Sequence, residues 1–183
     1  DHKYDVFFID LWGVVHNGKQ LYPGAIEVLE NLNKLNKRFV LLSNAPRPSK
    51  NVEKFLLNLK MNKIFAKTVF TSGEAALKSL QKNIFGNKFY HLGPKRDRDL
   101  FKRFEKNKTS LDKSDFILCT GLFEDKENSL DFYKDLLQKH IHLKMVCTNP
   151  DLVVHRGSSK EYCAGTLAAI FEKLGGKVVY FGK

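Results

Sequence analysis

Apolar runs of strand length alternate with segments of helical periodicity along the whole chain, and no other feature constrains the fold as tightly. Asp5-Val-Phe-Phe-Ile-Asp10 is a continuous apolar run closed by an acid, the pattern of a strand buried on both faces. Behind Pro23-Gly24, the residues Ala25, Ile26, Val28, Leu29, Leu32 and Leu35 recur at helical spacing. Arg38-Phe-Val-Leu-Leu-Ser43 predicts the next buried strand. Val52, Phe55, Leu56 and Leu59 predict a second amphipathic helix, with Ser49 as its N-cap. The pattern continues with strands at 68–71, 89–92, 116–119, 143–147 and 177–181, and helices at 75–80, 100–104, 130–140 and 163–174. Such an order requires parallel sheets with crossover helices, an α/β fold.

Composition narrows the function. With 183 residues the chain has room for one or two compact units. Its longest apolar stretches, Phe39 to Leu42 and Thr166 to Phe171, fall far short of the roughly 18 residues of a membrane span, so no membrane partner is expected. The net charge is +11, but 25 of the 31 basic residues are lysines scattered from Lys3 to Lys183 without interleaved aromatics. A solvated lysine surface accounts for this better than a nucleic-acid groove, so no nucleic-acid partner is expected. The densest basic stretch, Lys95 to Lys113, is diluted by Asp97, Asp99, Glu105 and Asp112 and reads as one helix of mixed charge. Cys119, Cys147 and Cys163 are odd in number and widely spaced, and no basic, apolar and small-residue series opens the chain. Free thiols in a cytoplasmic protein are the expectation.

In open parallel sheets, reactive groups gather beyond the carboxyl ends of the strands. Strand one closes on Asp10 and strand two on Ser43-Asn44. An acid ending an apolar strand is costly to desolvate unless a cation or donors meet it, which makes Asp10 either a site residue or a cap of the following turn. His16, six residues later, either faces a substrate as a proton donor or points to solvent. Arg47 either reaches an anionic substrate or is a solvated loop arginine. His140 and His142, two apart, are read as surface residues that do not share a metal. Leu92-Gly93-Pro94-Lys95 lacks the glycines and the Lys-Ser/Thr ending of a P-loop.

Phe8-Ile9-Asp10-Leu11-Trp12-Gly13-Val14-Val15 resembles motif I of the haloacid dehalogenase superfamily, and Val40-Leu41-Leu42-Ser43-Asn44 resembles its motif II. Thr71-Ser72-Gly73-Glu74-Ala75, Cys147-Thr148-Asn149-Pro150-Asp151 and Tyr180-Phe181-Gly182-Lys183 are similar to signatures of its class IIA, NagD-like branch. The resemblance implies a Rossmann-like core over 1–78, an inserted α/β cap over 79–176, and a return to the core at 177–183. It further implies that Asp10 is the phosphoryl-accepting nucleophile and a magnesium ligand, joined by the backbone carbonyl of Trp12. Ser43 and Asn44 would grip the phosphoryl oxygens, and Lys183 would offset the negative charge; apart from the resemblance, Trp12 and Arg47 are candidate substrate-binding residues by their positions beside these motifs.

The chain departs from that pattern twice. Trp12 occupies the position of the second motif I aspartate, the general acid and base, and an indole cannot shuttle protons as a carboxyl does. No acidic motif IV follows Lys183 to complete the metal site, so roughly 80–110 further residues are expected beyond it to complete the sheet and that site. The function implied is a magnesium-dependent phosphatase-like hydrolase of a small phosphorylated metabolite, with a homodimer through the cap left open. The alternative is a non-catalytic protein that binds a phosphorylated ligand.

Overall fold

The computed structural model describes residues 3–127, 129–156 and 159–183. They form two units, Asp1–Ser43 with Ser49–Thr71, and Asn44–Pro48 with Ser72–Lys183.

In the first unit, β1 (Val6–Asp10) leads through a long loop to α1 (Pro23–Lys34), then β2 (Arg38–Ser43), α2 (Ser49–Asn58), the short α3 (Lys63–Ala66) and β3 (Val69–Thr71). The three strands are parallel in the order β1-β2-β3, with Asp10 opposite Leu42 and Ser43 opposite Thr71. Local chemistry returns the chain to the sheet after each helix. Pro23 opens α1, where its missing N–H is not needed. Asn36 then takes φ 54°, and the Lys37 N–H closes on the Leu32 carbonyl at 2.9 Å, ending the helix at Lys34 and turning the chain into β2 at Arg38. Lys60 (φ 69°) and the Met61 to Leu56 bond of 3.0 Å repeat that device behind α2. Ser49 does more than start α2: its Oγ accepts the Thr71 N–H at 3.2 Å and so ties the helix to the end of β3.

Leu29, Leu41, Leu56 and Phe65 are buried in this unit, and the Phe39 and Phe65 rings meet edge to face at 5.6 Å. Strand β1 differs from its expected burial on both faces. It lies at the edge of its sheet, and Phe8 is 71% exposed. An apolar run specifies what a strand can tolerate, whereas burial depends on which elements lie against it.

The second unit opens with α4 (Ser72–Gln81) and builds a four-stranded parallel sheet from β4 (Phe89–Leu92), β5 (Phe116–Cys119), β6 (Lys144–Cys147) and a strand near the end of the chain. The helix α5 (Leu130–Gln138) links β5 to β6. Between β6 and the last strand come an antiparallel hairpin, β7 (Val153–Arg156) with β8 (Ser159–Tyr162), and α6 (Ala164–Lys173). Phe171, Tyr133, Leu137 and Met145 are fully buried where α5 and α6 pack on the sheet. The hairpin escaped sequence reading because Lys160 and Glu161 interrupt any apolar alternation in β8.

One further expectation meets a different structure. The stretch read as one mixed-charge helix forms three short 3-10 segments, Lys95–Leu100, Lys102–Asn107 and Leu111–Lys113, with Phe104 breaking the helical geometry. The last strand, β9 (Lys177–Tyr180), pairs in parallel with β6 in the second sheet. The first unit gives way to the second between Thr71 and Ser72. Gly175, at φ 94°, explains the turn into β9: it ends α6, and the Gly176 N–H closes on Phe171 at 2.9 Å, which points the chain back along the sheet its helix already covers.

Candidate active site

In the first unit the parallel register brings Asp10, Ser43 and Thr71 to the carboxyl ends of three adjacent strands. The Asp10 carboxylate accepts the Leu11 N–H at 2.7 Å, which fixes its plane. Beyond it the loop folds on one carbonyl: Leu11 O accepts from Val14, Val15 and His16 at 3.3, 2.9 and 3.2 Å. Gly13 (φ 79°) makes the bend. Trp12 is 37% exposed, stands edge-on to the His16 ring at 5.4 Å, and covers Gly18, where an added Cβ would lie 2.7 Å from the indole.

His16 neither faces solvent nor presents an open proton donor. It is 3% exposed, packed between Trp12 and Phe55, and its Nδ1 accepts the Gly18 N–H at 3.0 Å. Burial lowers its pKa, against the opposing pull of the Asp10 carboxylate, so a neutral imidazole braces the loop.

Asn44, Arg47 and Lys183 belong to the second unit. Asn44 is buried, and its side chain bonds both to Asp151 Oδ1, at 2.8 Å, and to the Lys183 peptide. The amide that the resemblance assigned to phosphoryl oxygens is thus engaged within the protein. Gly73 lies so close to the Pro46-Arg47 backbone that a side chain there would collide, and Ser72 Oγ donates to Thr148 O at 2.6 Å. Together these contacts lock the 44–48 loop onto the start of α4.

Arg47 Nε donates to Asp97 Oδ1 at 3.2 Å, so it is neither simply solvated nor committed to a ligand. Asp97 is 2% exposed. Burial pushes its carboxyl up, partly countered by Arg47, the Thr120 hydroxyl and Arg96. Thr120 Oγ1 also lies 2.9 Å from His91 Nε2, which completes a buried polar chain that sequence reading missed. The one available signal was His91, a titratable residue inside the apolar run of β4.

Burial, helped by Lys108, lowers the His91 pKa from 6.5 to about 4. Between those values the unfolded chain binds the proton and the folded chain does not, so stability falls as pH drops from about 6.5 and levels off near 4. The full loss should be about 3 kcal/mol, at 1.36 kcal/mol per pKa unit. Urea melts from pH 7 to pH 4 should show that fall in the parent and a flatter profile in His91→Gln. Equal slopes would place the proton uptake elsewhere.

The cysteines offer no nucleophile. Burial pushes Cys119 well above the usual thiol range, Cys147 to about 12 and Cys163 to about 11, so all three stay protonated near neutrality. His140 is more than a surface residue: its ring bridges Asp112 Oδ1 at 2.9 Å and the Leu136 carbonyl at 3.0 Å. No cluster of three or more His, Cys, Asp or Glu able to hold a metal ion occurs among the described residues, and none of their helices is long and apolar enough to cross a membrane.

The sequence profile described as haloacid dehalogenase-like hydrolase matches residues 7–105, more than half of the chain, including the Asp10 strand end and the Ser43-Asn44 turn. The chain belongs to the haloacid dehalogenase-like hydrolase family. A haloacid dehalogenase-like hydrolase from Brucella suis 1330 is 30% identical with a TM-score of 0.90, over 100% of this chain and 67% of its own. The fold is also that of 4-nitrophenylphosphatase from Thermotoga maritima (24% identity, TM-score 0.73, 98% of this chain and 68% of that one). NagD from E. coli K-12 shares it too (22% identity, TM-score 0.70, 98% and 69%). No match was found among curated proteins. The indole of Trp12 stands two residues after the strand-end aspartate Asp10.

Proposed function

We propose that this haloacid dehalogenase-like protein is a magnesium-dependent phosphomonoester hydrolase acting on a small phosphorylated metabolite. The observation that carries the reading is the convergence of Asp10 and Ser43 at the carboxyl ends of adjacent parallel strands, with the Asp10 carboxylate plane held by the Leu11 N–H. An Asp10 oxygen attacks phosphorus, the ester P–O bond breaks, and the departing oxygen takes a proton from water. Water then attacks the same phosphorus, releasing phosphate and restoring the carboxylate. The Ser43 hydroxyl donates to a phosphoryl oxygen, and Lys183 keeps the charge-offsetting role given to it by the resemblance.

Asp10 and the Trp12 backbone carbonyl would supply two oxygen ligands of a magnesium ion, which keeps several waters and shares the substrate phosphate, and the acidic motif IV expected beyond Lys183 would complete the set. Bound there, the ion would draw negative charge off the phosphoryl oxygens. The 4-nitrophenylphosphatase and a glycerol phosphate phosphatase from Mycobacterium tuberculosis among the fold neighbours support a phosphorylated substrate. Trp12 favours a second reading, a protein that binds such a ligand without turnover.

The test is phosphate release from sugar phosphates, nucleotides, pyridoxal phosphate and 4-nitrophenyl phosphate. Release that falls at least about tenfold on chelation and returns with magnesium is expected, the metal supplying several kcal/mol of charge stabilisation. Measurable ligand binding with no release from any of these compounds would establish the binding reading instead.

A further inference from the structure

A side-chain amide carries an acceptor oxygen and two N–H donors, so it can pair with both the backbone N–H and the backbone oxygen of a single residue. Asn44 and Lys183 use that match, although 139 residues separate them. The Lys183 N–H donates to Asn44 Oδ1 at 3.0 Å, and Asn44 Nδ2 donates to the Lys183 backbone oxygen at 3.1 Å. The second Nδ2 hydrogen goes to Asp151 Oδ1 at 2.8 Å. A carboxylate only accepts, so Asp151 also settles which way the amide faces. Asp151 is itself oriented, its N–H donating to Asn149 Oδ1 at 3.1 Å. Gly182, at φ 137°, admits the approach: a Cβ there would lie 2.5 Å from Pro150 Cδ and 2.7 Å from Asn44 Oδ1. With both amide hydrogens spent, Asn44 has none to give a phosphoryl oxygen.

We propose that Asn44 is a positioning residue which, oriented by Asp151, clasps the Lys183 peptide and aims that lysine. The proposal rests on the phosphatase reading for the importance of Lys183 but not for the clasp. A lysine carried on a flexible four-carbon stem can be aimed only if its backbone is fixed, and a misplacement near 1 Å can cost about 10²-fold in rate.

Two readouts test it, amide hydrogen exchange at Lys183 and steady-state kinetics with 4-nitrophenyl phosphate and inorganic phosphate as inhibitor. In Asn44→Ala, exchange at Lys183 should quicken about tenfold, the measure of one lost hydrogen bond. The kcat should fall about 10²-fold while KM and phosphate inhibition stay within about threefold. Asp151→Asn keeps an acceptor oxygen and should stay within about threefold of the parent in both readouts, whereas Asp151→Ala should follow Asn44→Ala. Unchanged Lys183 exchange in Asn44→Ala, with KM and phosphate inhibition weakened about tenfold, would make Asn44 a direct phosphate ligand and overturn the proposal. If the parent itself lacks turnover, the phosphatase reading fails separately. Exchange then decides alone: protection lost in Asn44→Ala upholds the clasp, and protection kept overturns it.

Discussion

Asp10→Asn is expected to cut phosphate release at least about 10³-fold while the chain stays folded, because an amide oxygen cannot serve as the attacking nucleophile. The structure gives a reason for the fold to survive. The carboxylate oxygen accepting from the Leu11 N–H at 2.7 Å can be replaced by the amide oxygen of Asn, so the strand end keeps its bond. Single-turnover assays alongside thermal melts separate the two effects. A variant with an unchanged melt and turnover within about tenfold of the parent would exclude covalent catalysis at Asp10.

Trp12→Asp should act in the opposite direction. A carboxyl two residues after the nucleophile can protonate a departing oxygen, which alkyl esters need and activated aryl phosphates do not. Hydrolysis of a sugar phosphate should therefore rise about 10²-fold, while 4-nitrophenyl phosphate changes less than about threefold. Trp12 also packs edge-on against the buried His16 and over Gly18, so its removal loosens the loop. A matched loss on both substrates would assign Trp12 a packing role. A matched gain would mean that proton donation does not limit the sugar phosphate.

Reading the sequence for strand ends placed Asp10 and Ser43 at the ends of strands because an apolar run of that length signals a strand, and the residue that closes it is readable without coordinates. The Asn44 clasp was not readable. Its partners, Asp151 and Lys183, lie 107 and 139 residues away, and no local rule pairs an amide with a distant peptide. His16 was misjudged for a related reason. A histidine in a polar loop reads as exposed, yet the three bonds converging on Leu11 O turn the loop inward and set the ring between Trp12 and Phe55.

Strand and helix alternation, the acid at the end of β1, the motif residues and the α/β class were determined by the sequence alone, since periodicity and strand-end chemistry are local properties of the chain. Tertiary structure decided which sheet each strand joins. β9 carries the same apolar signal whichever neighbour it takes, and only its pairing with β6 puts it in the second sheet. It also decided what each polar group bonds to, as with the chain from Arg47 through Asp97 and Thr120 to His91. Hydrogen bonds act over about 3 Å in space whatever the separation in sequence, and only the folded chain defines that distance.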